Sequence, residues 1–118
     1  MISVYITSYN KSAYLPEAIN SVLSQSLSPI EIIIIDDYSS DDSKEIIQGF
    51  ETRYPSIITT IFNERNLGIS KTRNRALKMC KGDLITYLDA DDIFYRNKLQ
   101  TEYDCLLDNK NSDIVYSN

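Results

Sequence analysis

Short apolar runs alternate along the chain with stretches whose apolar positions recur every three or four residues, a pattern that predicts strand–helix–strand units and a mainly parallel sheet. Strands are expected at Ser3 to Thr7, Glu31 to Asp36, Ile57 to Phe62, Leu84 to Leu88 and Asp113 to Tyr116. Ile32-Ile33-Ile34-Ile35 is apolar on both faces, which predicts a central strand covered from both sides.

Helices are expected between the strands. The first starts near Pro16, places Ala18, Ile19, Val22 and Leu23 on one face and ends by Gln25. Ser39-Ser40-Asp41-Asp42 reads as a capping-box-like start for the second, which buries Ile46, Ile47 and Phe50 and is stopped by Pro55. A third runs from about Ile69 to Cys80 and closes at Gly82 in a left-handed cap. The fourth, Lys98 to Leu107, carries Leu99, Tyr103, Leu106 and Leu107. The expected fold is therefore a Rossmann-like α/β domain with helices on both faces of the sheet. Asn63-Glu64-Arg65-Asn66-Leu67-Gly68 reads as an exposed turn before the third helix.

At 118 residues, 42% hydrophobic and 25% charged, the chain can form one core but not two ordinary domains, so residues 1–118 read as a single domain. A net charge of -5 excludes a general nucleic-acid binder, which needs a basic stripe, and an anionic ligand would need help from a cation. No apolar run approaches ~18 residues, and Met1 leads almost directly into a strand, so the expected location is cytoplasmic, with no membrane segment in this chain. Cys80 and Cys105 lack CxxC spacing and there is no His, which points to buried free thiols rather than zinc. The strand-like Asp113-Ile114-Val115-Tyr116 has nothing after it but Ser117 and Asn118, and the expectation is an N-terminal part of a longer protein.

The chemistry concentrates at three predicted strand ends: Thr7-Ser8-Tyr9-Asn10, Asp36-Asp37-Tyr38-Ser39 and Asp89-Ala90-Asp91-Asp92. In a parallel sheet all three meet at one rim, where open α/β sheets bind ligands. Asp89 and Asp91 leave an extended segment on the same side and could share one hard cation, manganese or magnesium, with a diphosphate; Asp91 is the expected direct ligand. A plain strand-end turn is the competing reading, because Asp bonds nearby backbone amides. Asp37 could accept a ring N–H of a pyrimidine, or could serve the N-terminus of the following helix. Tyr9 could stack on a nucleobase or, like many of the nine tyrosines, cover a core edge. Arg73 falls on the inward stripe of the third helix between Ile69 and Ala76-Leu77 and needs a partner, either a rim carboxylate, a phosphate or a purely structural one.

With these residues the chain resembles the N-terminal half of family-2 glycosyltransferases of the GT-A fold. Val4-Tyr5-Ile6-Thr7-Ser8-Tyr9-Asn10 with Tyr14-Leu15 is similar to that family's opening strand and loop, and Ser21-Val22-Leu23-Ser24-Gln25-Ser26 to its first helix. Glu31 to Asp41 resembles its second strand and acid pair, and Asn66-Leu67-Gly68 with Thr72-Arg73-Asn74 its third block. Lys81-Gly82-Asp83 leading to Leu88-Asp89-Ala90-Asp91-Asp92 resembles its metal-binding DXD block. The resemblance implies that Thr7 and Tyr9 flank a nucleobase, Asp37 contacts its edge, Asp89 lies near the ribose and Asp91 holds a divalent metal on the diphosphate. It further implies transfer of a sugar, usually from a UDP-linked donor, to a saccharide or lipid-linked acceptor with inversion, as in polysaccharide biosynthesis, with attachment to the inner membrane face open for the longer protein. The general base that inversion requires comes, in that family, from a segment downstream of the DXD block. No catalytic residue is therefore expected within this chain, and the isolated chain is expected to bind nucleotide without transferring sugar.

Two rivals remain at this level. A receiver-type phosphoacceptor domain also gathers acids at strand ends, but its acid pair follows the first strand, whereas here it follows the second. A non-catalytic nucleotide-binding or interaction module could use the same scaffold. A nicotinamide enzyme is disfavoured, since no GxGxxG follows any strand and the chain holds only three glycines.

Overall fold

The computed structural model describes residues 1–117. Four parallel strands, β1 (Ile2–Ser8), β2 (Glu31–Asp36), β3 (Ile58–Phe62) and β4 (Leu84–Asp89), form one sheet in the order β3-β2-β1-β4. The helices are α1 (Leu15–Leu23), α2 (Ser43–Arg53), α3 (Ile69–Met79) and α4 (Lys98–Asp108).

Alternation along the strands divides the interior into two cores. Val4, Ile6, Ile32, Ile34 and Leu88 point to one face, where they pack with Leu15, Ile19, Ile47, Phe50 and Leu99 from α1, α2 and α4. Tyr5, Ile33 and Ile35 point to the other, where α3 supplies Ala76. The four isoleucines of β2 are all at most 1% exposed, as the doubly apolar run predicts. Each contributes about 1.5–3 kcal/mol of burial free energy as an upper bound. On the α3 side, α3 covers β1 and β2 but leaves the β4 face more open, with Ile85 and Tyr87 exposed.

Register brings the strand ends together. Thr7 is level with Asp89 across β1 and β4, and Ser8 is level with Asp36 across β1 and β2. All strands being parallel, their carboxyl ends share one rim.

Several sequence expectations are corrected. Asp113–Tyr116 is not a strand: after α4 the chain turns at Asn109–Ser112 and runs beside β4 without ladder pairing, and Ile114 and Tyr116 are each 83% exposed. An alternating pattern forms a strand only where a partner edge and a face to bury coincide. Gly82 is not a left-handed cap; α3 ends at Cys80 in extended conformation, and among the described residues the positive-φ glycine is Gly68. Glycine is required at 82 because a Cβ there would lie 2.6 Å from Ser3 N and 2.8 Å from Met1 O. The capping box before α2 also does not form: Asp42 occupies the N-cap without a side-chain bond, while Asp41 Oδ1 accepts from Ser43 N at 3.0 Å. Leu107 lies on the outer side of α4 and is exposed. Both cysteines are free, but neither is buried, and Cys105 is exposed.

Candidate active site

The β1–α1 and β2–α2 loops are fastened to each other before any ligand is considered. Asn10 N donates to Ser39 Oγ (2.9 Å), Ser40 N donates to Asn10 Oδ1 (2.8 Å), and Ser12 N donates to Asp41 Oδ2 (3.0 Å). Two non-glycine residues at this junction take left-handed backbone, Asn10 at φ 50° and Tyr38 at φ 64°. Asn tolerates that region, whereas Tyr38 holds it at a cost on the order of 1 kcal/mol or more. Asp36 secures the second loop by accepting from Ser39 N (2.9 Å) and Ser39 Oγ (2.6 Å). The acid pair thus divides its work: Asp36 holds the turn, and Asp37 lines the cavity.

That cavity, of about 420 Å³, opens at the rim above β1 and beside the N-terminus of α3. Thr7, Tyr9, Asp37, Arg73, Asp89 and Asp91, the six residues singled out from the sequence, all line it. Tyr9 is half-exposed at its mouth. Asp37 is 5% exposed, and its Oδ1 accepts from Leu67 N (2.7 Å) and Asn63 Nδ2 (2.9 Å) while Oδ2 accepts from Gly68 N (2.9 Å). Burial pushes its carboxyl up, but the hydrogen bonds from Leu67, Asn63 and Gly68 together prevail and hold it below the usual carboxylate range. The helix Asp37 serves is therefore α3, across the sheet end, not α2, which follows it in sequence. Gly68, the α3 N-cap at φ 83°, has no side chain to do this. A carboxylate offers about four acceptor positions, so Oδ2 keeps capacity for a ligand donor.

Asp89 and Asp91 have different partners. Arg73 Nη2 lies 3.0 and 3.1 Å from the two oxygens of Asp89, Thr7 Oγ1 donates to Asp89 Oδ1 at 2.8 Å, and the guanidinium sits 4.7 Å from the centroid of the Tyr87 ring. The bond to Asp89 raises the Arg73 pKa further. Tyr87 in turn stacks on Tyr5 at 5.7 Å, so the inward arginine rests on an aromatic shelf built by two register partners. The buried Arg73 Nε has no protein partner. Asp91 instead meets Lys11 Nζ at 3.0 Å from Oδ2; that bond lowers the Asp91 carboxyl and raises the Lys11 ammonium. Asp92 is absent from this cavity and lines a neighbouring one beyond the Asp89–Asp92 turn.

Lys11, Asn63, Asn66 and Thr72 are the residues to which the sequence assigned no role at the site. Thr72 is fully buried and accepts from Asn63 Nδ2 at 3.0 Å, which orders the amide that donates to Asp37. A buried polar network of this kind leaves no periodic trace. The available signals were the polar run Asn63 to Asn66 ahead of a helix and the resemblance of Asn66-Leu67-Gly68 and Thr72-Arg73-Asn74 to a family block.

Among the described residues no three His, Cys, Asp or Glu side chains gather into a ligand cage. The donor set is one partly exposed carboxylate, Asp91, with Asp89 already committed to Arg73 and Thr7. That fits a hard cation such as magnesium or manganese, which needs only one or two protein carboxylates and would be held here by Asp91.

An open parallel sheet whose carboxyl rim joins an aromatic lip, a buried acceptor and exposed carboxylates belongs to the class of α/β domains whose ligand sites lie at the strand ends. The sequence profile described as Glycosyl transferase family 2 matches residues 3–118, and the chain belongs to that family. Its fold is the GT-A glycosyltransferase fold. An uncharacterized glycosyltransferase from Nostoc is 42% identical over 84% of this chain and 30% of its own length. The putative teichuronic acid biosynthesis glycosyltransferase TuaG of Bacillus subtilis is 33% identical over 92% of this chain and 42% of its own. Crystal structures of Staphylococcus aureus TarS residues 1–349 superpose with TM-scores of 0.81 in complex with UDP and 0.80 in complex with UDP-GlcNAc. They are 25% and 28% identical, and cover 98% and 95% of this chain and 38% and 32% of TarS 1–349. The chain thus spans less than half the length of these relatives.

Proposed function

We propose that this chain is the donor-binding part of an inverting glycosyltransferase that takes a UDP-linked sugar together with a divalent cation and delivers the sugar to an acceptor hydroxyl. The observation that carries the reading is the convergence of Thr7, Tyr9, Asp37, Arg73, Asp89 and Asp91 on one cavity. The binding of UDP and UDP-GlcNAc by TarS, which shares the fold at 25–28% identity, supports a uridine donor.

In this reading Tyr9 stacks on the base, worth about 1–3 kcal/mol, and Asp37 Oδ2 accepts the ring N–H. Thr7 and Arg73 hold Asp89 still beneath the ribose. Asp91 holds the cation, manganese or magnesium, which when bound supplies Lewis-acid stabilisation of the departing diphosphate. Proton removal from the acceptor hydroxyl falls to a carboxylate that we place outside these residues, so the chain by itself binds donor and transfers poorly. We take the acceptor to be a saccharide or a lipid-linked one met on the cytoplasmic side; a relative named for teichuronic acid biosynthesis is in line with the saccharide part of that reading.

Calorimetric titration with UDP, GDP and CDP, with and without manganese, tests the reading. UDP should bind best, and manganese should strengthen that binding in the native chain but not in Asp91→Ala. UDP affinity that ignores both the metal and the Asp91→Ala substitution would refute the cation assignment. Preference for another base would refute the roles of Asp37 and Tyr9.

A further inference from the structure

The Lys11 side chain enters neither the packed core nor the donor contacts described above, yet its ammonium stands 3.0 Å from Asp91 Oδ2 in the wall of the same cavity. Its placement is built rather than incidental. The loop that carries it is clamped on both sides, through Asn10 to Ser39 and Ser40 and through Ser12 N to Asp41. Lys11 O also accepts from both Tyr14 N and Leu15 N at 3.0 Å, which anchors the residue to the start of α1. The other rim carboxylate, Asp89, has a separate cation in Arg73, so the two positive charges are divided one to each acid. The two pairs differ in kind. Arg73 is held by two oxygens and an aromatic ring, whereas Lys11 makes a single contact, with both side chains more than two-fifths exposed.

We infer that Lys11 is a tethered stand-in cation, occupying Asp91 when no metal is bound and competing with the divalent ion for the same carboxylate. This rests on the reading of Asp91 as the metal-holding residue. An ammonium is a compact point charge on a flexible stem, so it can leave one oxygen for another without disturbing the backbone. A divalent ion arriving at Asp91 must break the ion pair and approach a positive charge. Metal without nucleotide is thereby disfavoured, while a diphosphate, which brings acceptors of its own for the released ammonium, removes the penalty. The consequence is coupled loading: cation and nucleotide bind together better than either alone.

The test is manganese binding in the absence of nucleotide, followed by electron paramagnetic resonance at low ionic strength, where exposed charges are least screened. Lys11→Met keeps the side-chain length and removes the charge; an exposed ion pair of ordinary strength corresponds to roughly 1.5- to fivefold, so this variant should bind manganese more tightly than the native chain by about that factor. Lys11→Arg keeps the charge and should bind as the native chain does. Unchanged or weaker binding by Lys11→Met overturns the inference, as does equal tightening in both variants, which would make side-chain shape the cause. UDP titration in saturating manganese separates the two levels of argument. If the native chain binds the pair but Lys11→Met shows no gain for the metal alone, only the role of Lys11 fails; if neither binds, the donor-site reading fails with it.

Discussion

Replacing Asp37 by Asn probes the point at which stability and binding meet. The substitution changes almost no volume, but an amide has one acceptor oxygen and one NH2 group where the carboxylate had two acceptors. Oδ1 of Asp37 receives Leu67 N and Asn63 Nδ2, and Oδ2 receives Gly68 N. Whichever way the amide turns, its NH2 faces at least one N–H donor that has lost its acceptor. Two of the three donors are backbone groups at the entrance to α3, where Gly68 provides no cap of its own. A hydrogen bond to a charged group contributes about 1.5–3 kcal/mol, and a buried donor left unpaired costs about 1–3 kcal/mol. Loss of the charge at the helix N-terminus adds about 0.3–1 kcal/mol. The expected destabilisation is about 2–4 kcal/mol, read as a lower urea midpoint with an unchanged slope. UDP affinity should fall as well, because the α3 entrance forms one wall of the cavity. A variant within about 0.5 kcal/mol of the native chain would show that Asp37 does not hold α3 and would refute the reasoning.

Gly82→Ala should destabilise the chain by about 1–3 kcal/mol, the cost of overpacking, because the new methyl meets backbone atoms, Ser3 N of β1 and Met1 O just before it, and cannot displace a flexible side chain instead. Urea unfolding measures this, and a neutral effect would mean that the approach of residue 82 to β1 is not tight. Asp41 gives a pH dependence: burial opposes its ionisation, but hydrogen bonds from Ser43 and Ser12 prevail and lower its carboxyl from 3.8 to about 2. A depressed carboxylate contributes stability above its unfolded value and loses it as pH falls through the folded one. The stability difference between the native chain and Asp41→Asn should therefore be full at pH 5, about 1 kcal/mol after allowance for solvent screening, and should shrink steadily from about pH 4 towards pH 2. A difference that stays constant over that range would show that the carboxylate charge is not what ties the two loops.

The local content of the chain was legible without coordinates because it depends on near neighbours. The isoleucine run of β2, the apolar stripes of α1 and α2 and the clustering of polar residues after three strands all reflect periodicities of two and 3.6 that any reader of the residues can count. The resemblance carried by Asp36-Asp37 and Asp89-Ala90-Asp91-Asp92 was equally local. What a short window cannot hold is partnership between distant residues. Gly82 is needed because β1 passes within contact of it, 79 residues away in sequence from Ser3. Asp37 caps a helix 31 residues on, Arg73 settles on Asp89, and Lys11 meets Asp91 only because parallel register brings the ends of β1 and β4 to one rim. Residues 113–116 alternate like a strand yet form none beside the edge strand β4, since Ile114 and Tyr116 find no face to bury, and that face is not a property of the segment itself. Residue types thus determined which elements form and which chemistry is available. The parallel sheet decided which charges meet, because only the fold sets the distances on which their interaction depends.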